Sequence, residues 1–125
     1  QEFDRLKEAP LMGDCLFCQI VKGAIPAKSL FEDEHSFVFD DINPQAQVHM
    51  LVIPKRHVVS LDETKETDAT LLGHLMVVCA KMARVRGIAE SGYRVVANTG
   101  RGAGQSVLHL HFHVMGGRVF AWPPG

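Results

Sequence analysis

The 125-residue chain lacks a long apolar run, an excess of either charge and an even set of cysteines. Without a stretch near the ~18 apolar residues of a membrane span, no transmembrane helix is expected. A net charge of −1 from 13 basic and 14 acidic residues gives no electrostatic reason to expect a nucleic acid polymer or an acidic membrane surface as partner. Three cysteines in a small chain argue against a disulfide framework and for a reducing compartment. The opening "QEFDRLKEAPLMGD" has no apolar core of the signal-peptide kind, so the cytoplasm is the expected location. There are no internal repeats or low-complexity tracts. The 46% hydrophobic and 22% charged content fits one globular domain. Its expected extent is residues 14–125, behind a flexible tail over residues 1–13.

"DCLFCQIVKG" reads as a short helix with Asp14 as N-cap and Gly23 as stop. Strands are expected near Ser29–Glu32 and Ser36–Asp40, joined by the charged turn Asp33-Glu34-His35, and over "VHMLVIP" up to Pro54. From Asp68 to Arg86, Leu71, Leu72, Leu75, Val78, Cys79 and Met82 fall on one helical face, and Gly87 ends the pattern. "YRVVANT" and "VLHLHFHVMGG" are the last two strands, linked by the turn "GRGAGQS". The expectation is an α+β domain: about five mostly antiparallel strands, one long and one short helix, and the helices on one face.

"VLHLHFHVMGG" carries the chemistry. Strand alternation sends Leu110, Phe112 and Val114 to one face and His109, His111 and His113 to the other, with alternate residues about 6.6 Å apart. One histidine on a sheet face is ordinary. Three in alternation suggest either metal ligands or an active site in which a neutral imidazole is the nucleophile and its neighbours donate or position. The preceding "NTGRGAGQSV" sets Asn98, three glycines, Gln105 and Ser106 beside that face. Glycines admit close backbone approach to an anion, and Ser and Gln side chains donate to phosphate oxygens. The combination favours phosphate as the thing bound.

"HLHFHVM" is the His-x-His-x-His-x-x pattern, with apolar x, of the histidine-triad (HIT) family, which this chain resembles. "GGR", the terminal "WPPG", "FDDINPQAQVHMLVIPKRH", "LLGHLMVV", "GYRVVANTG" and "GQSV" resemble its Hint branch of purine nucleoside phosphoramidases, so the likeness runs from about Cys15 to Gly125. It implies a HIT-like fold and a purine mononucleotide site for AMP or GMP. It also implies attack on the α-phosphate by the central histidine, His111, giving a nucleotidyl-imidazole that water hydrolyses. His113 and Ser106 are then expected at the phosphate and near the departing amine, with Asn98, Gly104 and Gln105 as further phosphate contacts. Asp41 is the implied ribose carboxylate, and Phe17, Ile20, Ile25, Phe39 and Ile42 the implied base pocket. On periodicity alone those apolar residues would be core. His49 is implied to support the cluster from a neighbouring strand. No cofactor is expected for the chemistry itself.

"CLFC" departs from the best-known Hint pattern. Cys15 and Cys18 fit three readings: a redox pair, two buried thiols, or half of a tetrahedral zinc site completed by two imidazoles. The resemblance nominates His57 and His109 as the other ligands of a structural zinc. In that case His109, otherwise a member of the catalytic triad, is not a free acid or base. The apolar ending "VFAWPPG" and the Hint resemblance together imply a homodimer, with Trp122 contacting substrate. Two function classes remain open: an enzyme cleaving the P–N bond of nucleoside 5′-phosphoramidates, and a nucleotide-sensing module without turnover. Within enzymes, a dinucleoside polyphosphate hydrolase of the same family is the nearest rival.

Overall fold

The computed structural model describes residues 12–125. The expected tail lies outside the described residues except for its last two positions, which enter the 3-10 turn Met12–Asp14. Helix α1, Leu16–Lys22, follows. Strands β1 (Phe31–Glu32), β2 (Ser36–Asp40) and β3 (Val48–Pro54) precede the long helix α2 (Ala69–Val85). β4 (Tyr93–Val96) and β5 (Phe112–Gly116) complete one antiparallel sheet in the order β1-β2-β3-β5-β4.

Gly23 ends α1 in the left-handed conformation, φ 81°, and returns its N–H to the last turn. The N-cap is Cys15 rather than Asp14. Cys15 has extended dihedrals and its Sγ accepts the Cys18 N–H at 3.4 Å, whereas Asp14 belongs to the preceding 3-10 turn.

The sequence pattern implies both helices on one face of the sheet; they pack instead on opposite faces. Val38, Met50, Val52, Leu110, Phe112 and Val114 form one core with Leu75, Val78, Cys79 and Met82 of α2. Phe37, Phe39, Leu51 and Ile53 form a second core with Cys15, Phe17, Cys18 and Ile20 on the α1 side. Strand register explains the split, because Phe39 pairs with Leu51 and Leu51 with His113, so these three share a face. The unbroken apolar run "MLVIP" in β3 is the sequence sign of a strand covered on both sides.

The final strand is also shorter than its alternating pattern suggests. Pairing to β3 begins only at Phe112, so residues 107–111 lead into the strand rather than lie within it. The alternation nevertheless persists. Leu110 goes to the α2 core, while the rings of His109 and His111 stand edge-on to Phe17, at 5.8 and 5.2 Å.

Candidate active site and metal centre

The histidine face borders a cleft of about 510 Å³ lined by Phe17, Ile20, Ile25, Phe39, Asp41, Ile42, Ser106, His111 and His113, all expected from the sequence. Leu16, Pro26, Ala27, Lys28, Asp40, Leu51 and Val107 also line it. Lys28 stands in the loop after α1, where only the break at Pro26 had been legible. Ile42, one of these lining residues, is 99% exposed. A second cleft, of about 540 Å³, lies around Glu34, Lys55, Arg56, Asp68 and His74. Its charges are already matched, Arg56 to Asp68 at 2.6 Å and His74 to Asp33 at 2.7 Å.

Hydrogen bonds assign a different task to each imidazole. His111 is 5% exposed and its Nδ1 lies 2.7 Å from the His109 carbonyl. A carbonyl only accepts, so the proton sits on Nδ1 and Nε2 keeps its lone pair. Burial holds the ring neutral by pushing its pKa below 6.5, outweighing the His109 carbonyl and Asp41.

His49 follows from a second obligate partner. The Gln45 backbone N–H donates to His49 Nδ1 at 3.0 Å, so the His49 proton is on Nε2, which lies 2.9 Å from His113 Nδ1. His113 therefore accepts at Nδ1 and carries its own proton on Nε2. Burial first, then the neighbouring His111 and His49, hold His113 down to about 4, against the pull of Asp41. One neutral ring thus presents an acceptor and its neighbour a donor, with centroids 5.0 Å apart.

Asp41 Oδ1 accepts from the Asn43 N–H at 2.9 Å, and its Oδ2 lies 3.4 Å from His49 Nε2. Asp41, His49 and His113 place donor atoms close enough for a metal. The His49–His113 contact is, however, spent as the hydrogen bond just described.

The structure changes the part given to several residues. Gln105 is buried, and both its amide protons are committed, to Val59 O at 2.7 Å and Val107 O at 3.0 Å, while Oε1 accepts from Gly100 N. It braces the loop and has no side-chain donor left for a phosphate. The N–H groups of Ala103, Gly104 and Gln105 turn inward to Gly100 and Arg101 carbonyls, closing the 3-10 turn Arg101–Ala103. Asn98 and Gly104 are not among the residues lining the cleft, which leaves Ser106 as the loop's contribution to it. Trp122 is 82% exposed and lines no part of the cleft in the single chain.

His109 is not a free acid or base. It is fully buried, its Nε2–H donates to Pro54 O at 2.8 Å, and its Nδ1 lies 3.3 Å from Cys15 Sγ and 3.5 Å from Cys18 Sγ. His57 Nδ1 lies 3.2 Å from Cys18 Sγ. The four donor atoms all fall within 4.8 Å of one another, a Cys2His2 set suited to tetrahedral zinc, and the Pro54 carbonyl orients the His109 ring by taking its Nε2 proton. Burial first, and Cys15 second, raise the Cys18 thiol to about 11, and burial lowers His57 and His109, the latter to about 4. The Cys18 thiol is thus a poor nucleophile alone, which disfavours a redox pair, and a cation would displace its proton. Cys15, Cys18 and Cys79 form no disulfide, and Cys79 packs in the α2 core.

A five-stranded antiparallel sheet with an acceptor imidazole just before its last strand and a donor imidazole within that strand, both lining one cleft, defines a histidine-based nucleophile and acid–base site. The HIT domain family matches residues 22–120. The chain is 46% identical over 112 residues to an uncharacterised HIT-like protein of Synechococcus elongatus, covering 90% of this chain and 97% of that one. A crystal structure of a HIT family hydrolase from Legionella pneumophila superposes with a TM-score of 0.88 at 45% identity, covering 90% of this chain and all of that one. A histidine triad nucleotide-binding protein from Candida albicans gives 0.75 at 35% identity, over 90% and 85%. The chain belongs to the HIT family.

Proposed function

We propose that the protein is a HIT hydrolase that binds a purine mononucleotide and cleaves the P–N bond of nucleoside 5′-phosphoramidates, as in the Hint branch. The observation that carries this reading is the His111 tautomer: a neutral ring with its lone pair on Nε2, at the cleft, held by the His109 carbonyl. The base lies among Phe17, Ile20, Ile25 and Ile42, and Asp41 accepts from the ribose hydroxyls. His111 Nε2 attacks phosphorus, the P–N bond breaks, and the amine leaves with a proton from the His113 side. Water then attacks phosphorus, releases the nucleotide and restores His111. Likeness to the Legionella hydrolase and the Candida nucleotide-binding protein supports both halves of the reading.

Zinc, if bound, is held by Cys15, Cys18, His57 and His109 and serves to fasten α1 to the segment before β5. The domain runs from residue 14 to 125 and works as a cytoplasmic homodimer. The edge position of β4, together with exposed Met76, Val77 and Val85 on α2 and Val119 and Trp122 beyond β5, supports the dimer. Three cysteines without a disulfide support a reducing compartment. Among the described residues no helix is long and apolar enough to cross a membrane.

The test is intact-protein mass spectrometry after rapid mixing with an adenosine phosphoramidate, alongside AMP release. An adenylyl adduct located on His111, absent in His111→Ala, is the expected result. Tight AMP binding without turnover across several phosphoramidates would replace the enzyme with a nucleotide-sensing module.

A further inference from the structure

The donor tautomer of His113 depends on a backbone N–H in the β2–β3 loop, and something must hold that loop. The chain beyond β5 supplies it. Gly116 packs so tightly on Ile88 that an added Cβ would come within 2.7 Å of it. Gly117, at φ 96°, turns the chain against Gln47. This turn seats Arg118 over the β2–β3 loop, where its Nε donates to Gln45 O at 2.9 Å. Its Nη1 reaches Val119 O at 3.2 Å, and the guanidinium lies over Phe120, 4.2 Å from the ring centroid. Gln45 thus receives Arg118 at its carbonyl and gives its N–H to His49.

We propose that Arg118 is a positioning residue: by holding Gln45 it keeps His49 protonated on Nε2 and His113 protonated on Nε2, towards the cleft. The path is Arg118, Gln45, His49, His113, in three contacts of 2.9, 3.0 and 2.9 Å. Arg118 itself is not among the residues that line the cleft. A neutral imidazole released from an obligate donor exchanges its proton between its two nitrogens. Without Arg118 the Gln45 N–H drifts from His49, and both His49 and His113 populate both tautomers. Lysine retains a donor for Gln45 O but not the planar stack on Phe120. The catalytic consequence rests on the proposed hydrolase; the tautomer consequence does not.

The experiment is nitrogen-15 NMR of the histidine rings in the full chain, with kinetics on an adenosine phosphoramidate. In the wild type, His49 and His113 are single Nε2–H tautomers and His111 a single Nδ1–H tautomer. Arg118→Gln mixes the first two and leaves His111 unchanged, as an internal control. It also lowers kcat by about three- to tenfold with the Kd for AMP unaltered. Arg118→Lys restores most of the tautomer purity. Phe120→Leu, which removes the ring beneath the guanidinium, gives intermediate mixing and stands in should Arg118→Gln fail to fold. Pure tautomers in folded Arg118→Gln, or an Nδ1–H His113 in the wild type, would overturn the proposal. Absence of turnover in the wild type would count against the hydrolase and leave the tautomer result to decide the role of Arg118.

Discussion

Acid should destabilise this protein in a window that belongs to histidines rather than carboxylates, and His113 gives the cleanest measurement of it. Its side chain is 19% exposed and its pKa is held at about 4, chiefly by burial, against 6.5 for a free imidazole. Below 6.5 the unfolded chain binds a proton that the folded chain refuses. Stability therefore falls as pH drops from 6.5 towards 4. The slope approaches ~1.4 kcal/mol per pH unit and the total is about 3 kcal/mol for this group. In His113→Gln the amide oxygen still accepts from His49 and the titration is gone. Urea unfolding of both proteins across this pH range should show the wild type losing about 3 kcal/mol more than the variant. His109, also held near 4, contributes to both and cancels in the difference. Parallel curves between pH 6.5 and 4.5 would refute the buried, neutral His113 on which the donor assignment rests.

Two further outcomes follow from the same geometry. Asp41→Ala should weaken binding of AMP by at least about tenfold, the ~1.5 kcal/mol of a single hydrogen bond to a charged acceptor. Binding of a 2′,3′-dideoxyadenosine monophosphate should barely change, and equal losses for both ligands in calorimetry would remove the ribose role. Joint Cys15→Ala and Cys18→Ala substitution should take zinc content from one ion per chain to none and lower Tm, since a ligand held only by the folded state stabilises it. Retention of stoichiometric zinc by the double variant would place the metal elsewhere.

Much of this was legible in the amino-acid pattern, for physical reasons. The unbroken apolar run of "VHMLVIP" and the 3.6-residue stripe of α2, buried from Leu75 onward, make both elements legible. Of the Cys15, Cys18, His57, His109 set, only the C-x-x-C half is legible in the residues themselves; the two imidazoles come from the family resemblance, and the fold brings the set together across 94 residues. What escaped was written in backbone groups. The Gln45 N–H on His49 and the Gly100 carbonyl that takes the Gln105 N–H have no side-chain signature. Gln105 looked like a phosphate donor because its residue type allows it, and only the positions of the Val59 and Val107 carbonyls show that its protons are spent. β5 begins later than the alternating pattern implies, because alternation of buried faces continues through residues 107–111 without ladder pairing.

Three chemically identical side chains in "HLHFH" do three different things, and in each case the second ring nitrogen decides which. His109 gives Nε2–H to Pro54 and turns Nδ1 to the cysteines, leaving only its carbonyl to act on the site. That carbonyl takes the Nδ1 proton of His111 and so exposes a lone pair. His113 is offered a proton at Nδ1 by His49 and so must keep its own on Nε2. Acceptor and donor are thus written two residues apart without any charged imidazole, and burial that keeps all three rings neutral is what makes tautomers, rather than protonation states, the relevant variable. A substitution that leaves the three histidines in place but loosens a partner at the far nitrogen should therefore blur a role without touching the residue that performs it. Arg118, at the outer end of the longest of these chains, is the least intrusive place to make that change.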